Sequence, residues 1–193
     1  MRDVPYDRPR QLDAILADAE RAGFTMSCED RTGSLLATLA ASKPGGRFVE
    51  LGTGVGAEAV WLTAGMDSAA RLTTVELDPR VQGIARQHLG GDPRIDFVTC
   101  DADTWLTEAA QAGGRYDFAY VDCRPGKYLR LDDLLQLLAP GALYVVDDML
   151  PQATWPDDHQ PRVDGFFERL PSVANLRATR LVWASGLVLG ARV

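Results

Sequence analysis

The apolar positions along the chain follow two patterns, and the change comes near residue 45. Between residues 11 and 41 they recur at helical spacing, which predicts two helices over 11–22 and 31–41. From residue 47 onward, short continuous apolar runs alternate with helical segments. Continuous runs are typical of strands buried on both faces, and strict strand–helix alternation indicates a parallel sheet with right-handed crossovers.

The same pattern continues along the rest of the sequence. Strands are expected at 47–51, 72–77, 95–100, 116–122 and 142–147, and helices at 57–65, 79–89, 103–112, 130–138 and 162–170. Two β-rich runs at 176–183 and 186–193, joined by Ala184-Ser185, predict a closing antiparallel hairpin. We therefore predict a single α/β domain over residues 1–193.

Composition narrows the functional classes. The 193 residues suffice for one domain with a substantial core, and no linker or internal repeat divides them. A formal net charge of −7 argues against a nucleic-acid partner, and no apolar run of about 18 residues indicates a membrane span. The sequence starts without the apolar core of a signal peptide, and Cys28, Cys100 and Cys123 lack metal-cluster spacing. We expect a cytoplasmic protein with reduced thiols.

The segment 48–56, FVELGTGVG, carries the strongest functional signal. It joins a predicted buried strand to glycines at positions 52, 54 and 56, and a helix is predicted to begin directly afterwards. A strand, a glycine turn and a helix N-terminus together present free backbone N–H groups to a ligand. The turn alone is equally compatible with a purely structural role.

Carboxylates cluster where the predicted strands end. Glu76 comes 20 residues after Gly56, at a position from which an acid accepts hydrogen bonds from ribose hydroxyls. Further acids follow the strands at Asp78, Asp101, Asp103, Asp122, Asp147 and Asp148. Parallel strands bring these ends to one edge, where ligands bind in open α/β sheets. Asp78, Asp101 and Asp103 could equally be helix N-caps.

Two ligand classes compete for this turn. A dinucleotide site favours Gly-x-Gly-x-x-Gly, but here the third glycine comes one residue early, and Glu58 in the first helical turn would repel a pyrophosphate. S-adenosylmethionine carries an ammonium and a sulfonium group, which suit Glu50 and the acidic strand ends. The sequence therefore favours S-adenosylmethionine, with a nicotinamide-dependent dehydrogenase as the alternative.

Four blocks, at 49–56, 74–78, 116–128 and 138–150, resemble the class I S-adenosylmethionine-dependent methyltransferases, in particular the catechol/caffeoyl-CoA type O-methyltransferase family. The resemblance implies a Rossmann-like class I methyltransferase fold. This is a three-layer αβα sandwich with a seven-stranded, mostly parallel sheet whose last strand is antiparallel. Residues 1–45 would form a helical N-terminal cap segment, and residues 46–193 the cofactor-binding core.

The resemblance also implies site residues. The implied cofactor contacts are Met26, Glu50, Gly52, Thr53, Gly54, Gly56, Glu76, Leu77, Asp101, Ala102 and Asp122. Glu76 would hold the ribose hydroxyls, and Asp101 would lie near the adenine amino group. A divalent metal, Mg²⁺ or Ca²⁺, would be bound by Asp122, Asp147 and Asp148. Asp122 would also take part in catalysis.

The chain departs from the family pattern at the expected catalytic base. The family has a lysine three residues after the metal-binding aspartate, but this chain has Pro125, which cannot act as a base. Arg124 stays protonated, so Lys127, two positions later, becomes the candidate base. Glu58 replaces a small hydroxyl residue near the methionine carboxylate, where it would weaken binding unless it points away.

The implied activity is methyl transfer to a hydroxyl of a small catechol-like or phenolic acceptor, assisted by a divalent metal. Two alternatives stay open: a metal-independent methyltransferase with another acceptor, and an S-adenosylmethionine-binding module with little catalysis. The family tends to dimerise, so a homodimer is a candidate assembly. His88 and His159 fit no catalytic group and are expected to be solvated surface residues.

Overall fold

The computed structural model describes residue 5 and the ranges 7–153 and 155–193. Its helices are α1 (Leu12–Arg21), α2 (Asp30–Ala41), α3 (Ala57–Gly65), α4 (Pro79–Leu89), α5 (Ala102–Ala112), α6 (Leu131–Leu137) and α7 (His159–Arg169). Its strands are β1 (Arg47–Leu51), β2 (Arg71–Glu76), β3 (Ile95–Thr99), β4 (Tyr116–Val121), β5 (Leu138–Val146), β6 (Leu176–Leu181) and β7 (Leu187–Arg192). Within these described ranges, no helix is long and apolar enough to cross a membrane.

All seven strands form one sheet in the order β3-β2-β1-β4-β5-β7-β6. The first five strands in this order pair in parallel. β7 runs antiparallel to both β5 and β6, so six strands share one direction. The prediction of a mostly parallel seven-stranded sheet with an antiparallel last strand is confirmed.

Alternate side chains of the central strands bury the two faces of the sheet. Val49 and Ala119 pack in a core with residues of α5, α6 and α7. Phe48 and Phe118 pack on the opposite face with residues of α1, α2, α3 and α4. The apolar runs of the sequence are continuous because both faces are covered, which gives the predicted three-layer αβα arrangement.

Three elements differ from their predicted bounds. β5 begins at Leu138 rather than at 142, because Leu138 already pairs with Tyr116 of β4. α7 begins at His159 rather than at 162, because Pro161 lies in its first turn, where a missing N–H costs no helical hydrogen bond. The hairpin is confirmed, but five residues, 182–186, join its strands instead of two. The Leu150 N–H donates to the Ser185 carbonyl at 2.8 Å, so this connection is held against the loop after β5.

A polar contact ties α1 to α4. His88 Nε2 lies 2.6 Å from Asp18 Oδ2, and the two side chains are only 15% and 16% exposed. The prediction that His88 is a solvated surface residue is therefore wrong. The apolar spacing of α4 gave no sign of this contact, because the partner comes from a helix 70 residues earlier in the chain.

Gly65 sets the distance between α2 and α3. A Cβ at this position would lie 2.0 Å from the carbonyl oxygen of Ala37. We expect Gly65→Ala to lower the free energy of unfolding by about 1–3 kcal/mol, because the two helices must separate. Gly83→Ala in α4 is the matched control: the added methyl meets nothing within 4 Å, and its helix propensity should raise stability by up to about 1 kcal/mol. Urea unfolding measures both, and a Gly65→Ala variant as stable as wild type would contradict this packing.

Candidate functional site

The glycine turn connects β1 to α3 at the edge where the parallel strands end. Gly52 and Gly56 have φ angles of +98° and +90°, which favour glycine. A Cβ on Gly52 would lie 2.9 Å from the carbonyl oxygen of Asp122, and one on Gly56 would lie 2.8 Å from the Cβ of Ala85. The two glycines therefore let the turn approach both the end of β4 and α4.

Glu76, at the end of β2, holds the turn in place. Its Oε2 accepts the N–H of Gly54 at 2.9 Å, and its Oε1 accepts the N–H groups of Leu77 and Asp78 at 2.9 and 3.0 Å. A carboxylate offers about four lone-pair sites, so Glu76 can accept a further hydrogen bond. Leu77 is 68% exposed directly after it. An acidic acceptor beside an exposed apolar side chain suits the ribose and base of a nucleoside.

Glu50, in β1 just before the glycine turn, is completely buried in a polar network. Thr74 donates its hydroxyl to Glu50 Oε2, and Thr53 Oγ1 lies 2.6 Å from Thr74 Oγ1. Burial raises the pKa of Glu50 well above its ordinary value, and the charge of Glu58 adds to this rise. Glu50 Oε1 has no hydrogen-bond partner among the described residues. The cofactor contacts predicted for Glu50 and Thr53 stay predictions.

Glu58, at the start of α3, points into the protein. Its side chain is buried, and Oε1 accepts the N–H of Cys28 at 2.6 Å. This bond fastens the segment before α2, in which Met26 is largely exposed. Burial raises the pKa of Glu58 to about 7, although its bond from the Cys28 N–H opposes the shift. Glu58 thus makes a contact within the chain, while the cofactor contact of Met26 stays a prediction.

Asp78 and Asp101 are helix N-caps, as one of the two sequence interpretations proposed. Each accepts a backbone N–H from two residues later at 2.8 Å, which begins α4 and α5 respectively. Asp103 instead accepts the Nε–H of Arg130 at 3.0 Å. A capping aspartate still has a second carboxylate oxygen, so the adenine contacts implied for Asp101 and Ala102 stay predictions.

At the end of β5, both oxygens of the Asp147 carboxylate have partners within the chain. Tyr120 donates its hydroxyl to Oδ2 at 2.8 Å. Oδ1 accepts the N–H of Asp148 at 2.7 Å and the hydroxyl of Ser185. Burial and the charge of Asp148 raise the pKa of Asp147. Sequence reasoning missed Tyr120 and Ser185, since a buried tyrosine on a strand and a serine in a hairpin connection carry no motif.

Lys127 is buried at the same edge, with 3% of its surface exposed. Its Nζ donates to the backbone carbonyl of Asp147 at 3.0 Å and lies 5.3 Å from the centre of the Tyr128 ring. At the neighbouring end of β4, burial and the charges of Asp148 and Asp147 raise the pKa of Asp122 well above its ordinary value. The positive charge of Lys127 opposes that rise, so the lysine and the acids act on one another.

A tight turn at 124–129 carries Lys127 inward. The Gly126 N–H donates to the Leu129 carbonyl at 2.7 Å, and the Tyr128 N–H donates to the Arg124 carbonyl at 3.0 Å. Tyr144 of β5 holds the turn in place, because its hydroxyl donates to the Gly126 carbonyl at 2.7 Å. The two-residue offset from the family lysine therefore does not keep Lys127 away from the strand ends.

The predicted metal site is not confirmed. Within 7–153 and 155–193, no group of three or more His, Cys, Asp or Glu side chains is arranged to hold a metal ion. The Asp147 carboxylate already accepts three hydrogen bonds, from Tyr120, Ser185 and a backbone N–H, and the Lys127 ammonium donates to its backbone carbonyl. In the conformation described, Asp122, Asp147 and Asp148 are therefore not arranged as a ligand set for a divalent ion.

Aromatic side chains stand beside the acids. Trp155 stacks on His159 with ring centres 4.2 Å apart, and Tyr128 meets His159 edge-on at 6.2 Å. His159 Nε2 also lies 3.0 Å from the carbonyl oxygen of Asp148. The prediction of a solvated His159 is therefore wrong. The Tyr128 hydroxyl and Trp155 Nε1 are buried and lack hydrogen-bond partners in the described part of the chain.

The αβα sandwich with a glycine turn at β1 and an acid at the end of β2 is the class I methyltransferase architecture. A family model described as a methyltransferase domain matches residues 49–149, which is more than half of the chain. The match begins in the strand before the glycine turn and ends in the loop after β5. The chain therefore belongs to this methyltransferase-domain family.

Curated relatives and solved structures agree with this assignment. A protein named "Putative O-methyltransferase" from Mycobacterium sp. strain JLS is 30% identical over 165 residues, which is 75% of this chain and 74% of that protein. One of the same name from Mycolicibacterium vanbaalenii is 29% identical over 163 residues, 74% of this chain and 71% of that protein.

Solved structures share the fold at lower identity. An O-methyltransferase from Bacillus cereus in complex with SAH has a TM-score of 0.86 and 20% identity, and the match covers 99% of this chain and 94% of that one. The O-methyltransferase TomG from Streptomyces achromogenes, involved in tomaymycin synthesis and in complex with SAM, has a TM-score of 0.83 and 23% identity over 96% and 91%. These likenesses show a common fold.

The buried Glu58 predicts a pH-dependent stability. Because its pKa is raised from 4.5 to about 7, the folded state binds more protons than the unfolded state between these values, and stability falls as pH rises through this window. Glu58→Gln keeps an acceptor for the Cys28 N–H and removes the titration. Between pH 4.5 and 8, the free energy of unfolding of wild type should therefore fall by roughly 1–3 kcal/mol more than that of Glu58→Gln.

Urea unfolding across this pH range measures the slope, and Glu20→Gln, exposed on α1, is the control that should keep the wild-type slope. Parallel curves for wild type and Glu58→Gln would contradict the burial of an ionisable Glu58.

Proposed function

We propose that the protein is an S-adenosylmethionine-dependent O-methyltransferase that acts on a hydroxyl of a small aromatic acceptor. The observation that carries the proposal is the placement of Glu76. Its carboxylate is fixed by the Gly54 N–H at the end of β2, beside the exposed Leu77. This geometry presents an acceptor for ribose hydroxyls and an apolar surface for a base. The names of the relatives and the two complexes with SAH and SAM support the same cofactor.

The negative charge at the carboxyl edge, the edge of the sheet where the parallel strands end, supports a cationic cofactor. Burial raises the pKa values of Glu50, Glu58, Asp122 and Asp147, and the charges of neighbouring acids raise them further. A ligand with a positive charge relieves this repulsion, whereas a pyrophosphate increases it. When bound, S-adenosylmethionine supplies an activated methyl group. The dehydrogenase alternative is therefore the weaker one.

The aromatic side chains beside the acids support a flat acceptor. Trp155 and His159 are stacked beside Tyr128, so their rings can pack on a phenolic ring. The Tyr128 hydroxyl and Trp155 Nε1 lack partners among the described side chains, and a hydroxylated acceptor can use both. In this proposal the chain aligns the acceptor oxygen and excludes water, which are the protein's main contributions to methyl transfer.

The metal-independent variant of the function is favoured over the metal-assisted one. The reason is the bonding of Asp147, whose carboxylate already accepts hydrogen bonds from Tyr120, Ser185 and the Asp148 N–H, while the Lys127 ammonium holds its carbonyl. A divalent ion would have to compete with these donors and with the positive charge of the ammonium. Acceptor alignment in this proposal therefore depends on side chains of the protein.

Replacement of Glu76 tests the cofactor site. A hydrogen bond to a charged group contributes about 1.5–3 kcal/mol, so we expect Glu76→Ala to bind S-adenosylhomocysteine about 10- to 150-fold more weakly in calorimetry. Glu168→Ala, exposed on α7, is the control with unchanged affinity. Binding of NAD by the wild type without binding of S-adenosylhomocysteine would overturn the proposal.

A panel of phenols and catechols with methyl-labelled S-adenosylmethionine tests the reaction itself. We expect a methyl ether product, identified by mass spectrometry. Tight S-adenosylhomocysteine binding without transfer to any acceptor would instead favour the binding module with little catalysis.

A further inference from the structure

We propose that the ammonium group of Lys127 is the built-in cation of the acidic cluster formed by Asp122, Asp147 and Asp148, where it takes the place of a divalent metal. The inference rests on the proposed methyltransferase function and deepens it. It makes Lys127 a catalytic residue that acts through its positive charge, rather than the base that the sequence suggested. Methyl transfer by this chain then needs no divalent ion.

The sheet register places the acids next to one another. Val121 and Val146 are partners in the parallel pairing of β4 with β5, so Asp122 and Asp147 leave the sheet side by side. The Asp147 N–H donates to the Val121 carbonyl at 3.1 Å, which continues the pairing by one residue. Two carboxylates on neighbouring strand ends repel each other unless a positive charge lies close to them.

Lys127 supplies that charge from inside the protein. Its Nζ is anchored on the Asp147 carbonyl at 3.0 Å, and its side chain is buried. An ammonium has three N–H donors, and this bond uses one of them. Asp122 Oδ1 is buried and has no hydrogen-bond partner in the described chain. In this proposal an acceptor hydroxyl bridges the remaining donors of Lys127 and this free acceptor.

Position 127 has a lysine in a chain whose other basic residues are nearly all arginine. The chain has 20 basic residues, and all are arginine except Lys43 and Lys127. Lys43 contacts the Gly141 carbonyl on the exposed surface, so Lys127 is the lysine placed among acids. A compact ammonium is a point charge that fits a space the size of a hydrated ion, whereas a planar guanidinium does not.

The charge has a consequence for the reaction. In this proposal the acceptor hydroxyl gives its proton to the free Asp122 Oδ1. Negative charge then grows on the acceptor oxygen, and a fixed positive charge nearby stabilises it without reorganisation. In a metal-assisted relative of the fold, the ion would provide this stabilisation. Here the ammonium provides it with one positive charge instead of two. The acid cluster accordingly needs internal hydrogen bonds, which Tyr120 and Ser185 give to Asp147.

Binding of Mn²⁺, followed by electron paramagnetic resonance, tests the proposal without any activity readout. We expect wild type to have no Mn²⁺ site at the acidic cluster, so Asp147→Asn should bind Mn²⁺ no less than wild type does. Lys127→Met leaves the acids without their cation, so it should bind Mn²⁺ at least about tenfold more tightly than wild type. Lys43→Met, which removes the surface lysine from a similar carbonyl contact, should bind Mn²⁺ as wild type does.

Turnover gives the second readout. Wild-type activity should be unchanged in excess chelator, whereas Lys127→Met should lose most of its activity and regain part of it with Mn²⁺. Lys127→Arg separates charge from shape: we expect it to bind no Mn²⁺, because the charge is retained, but to turn over more slowly, because the guanidinium is larger.

Two results would overturn the proposal. One is Mn²⁺ binding by wild type that disappears in Asp147→Asn, a measurement that does not depend on the folding of any lysine variant. The other is a folded Lys127→Met variant, verified by circular dichroism, with wild-type turnover in chelator. A wild type that binds S-adenosylhomocysteine but methylates nothing would instead contradict the proposed function, and the Mn²⁺ result would still decide the role of Lys127.

Discussion

The burial of carboxylates is the constraint on which the carboxyl edge of this fold depends. A carboxylate removed from water costs several kcal/mol unless it is paired or hydrogen-bonded, yet Glu50, Glu58 and Asp147 are all buried. Each accepts at least one hydrogen bond from a different part of the chain. The donors are Thr74 of β2, the Cys28 N–H, Tyr120 of β4 and Ser185. The acids therefore hold the edge together as well as giving it its negative charge.

This arrangement links stability to ligand binding. Acids that raise one another's pKa store repulsion, and a cation that arrives at the edge lowers it. Lys127 relieves part of that repulsion permanently, since it is covalently attached and always present. The remainder is available to a positively charged ligand. A site that favours a cation thus follows from how the edge is built. In the proposed function, Glu76, which is held by the glycine turn, adds selectivity for a nucleoside.

The sequence was most informative where structure is set locally. The strands could be predicted because the parallel sheet is covered on both faces, and the caps Asp78 and Asp101 because a capping aspartate acts on the next two residues. Lys127 and His159 could not be placed, because their surroundings are made by a turn and a loop whose conformation depends on distant residues. Tyr144 of β5 fixes the turn below Lys127, and Asp148 meets His159 through a backbone carbonyl, which no side-chain pattern reveals.

The strand order also has a consequence for synthesis of the chain. β7 is the latest of the seven strands in sequence, but it lies between β5 and β6 in the sheet. β6 pairs only with β7 in the described sheet, so it leaves the ribosome before its neighbour exists. The connection between them brings Ser185 to Asp147 and Leu150 to the Ser185 carbonyl. Because a domain generally folds as a unit, β6 has no partner in the sheet until β7 follows it, and the acidic edge is completed only when β7 is inserted.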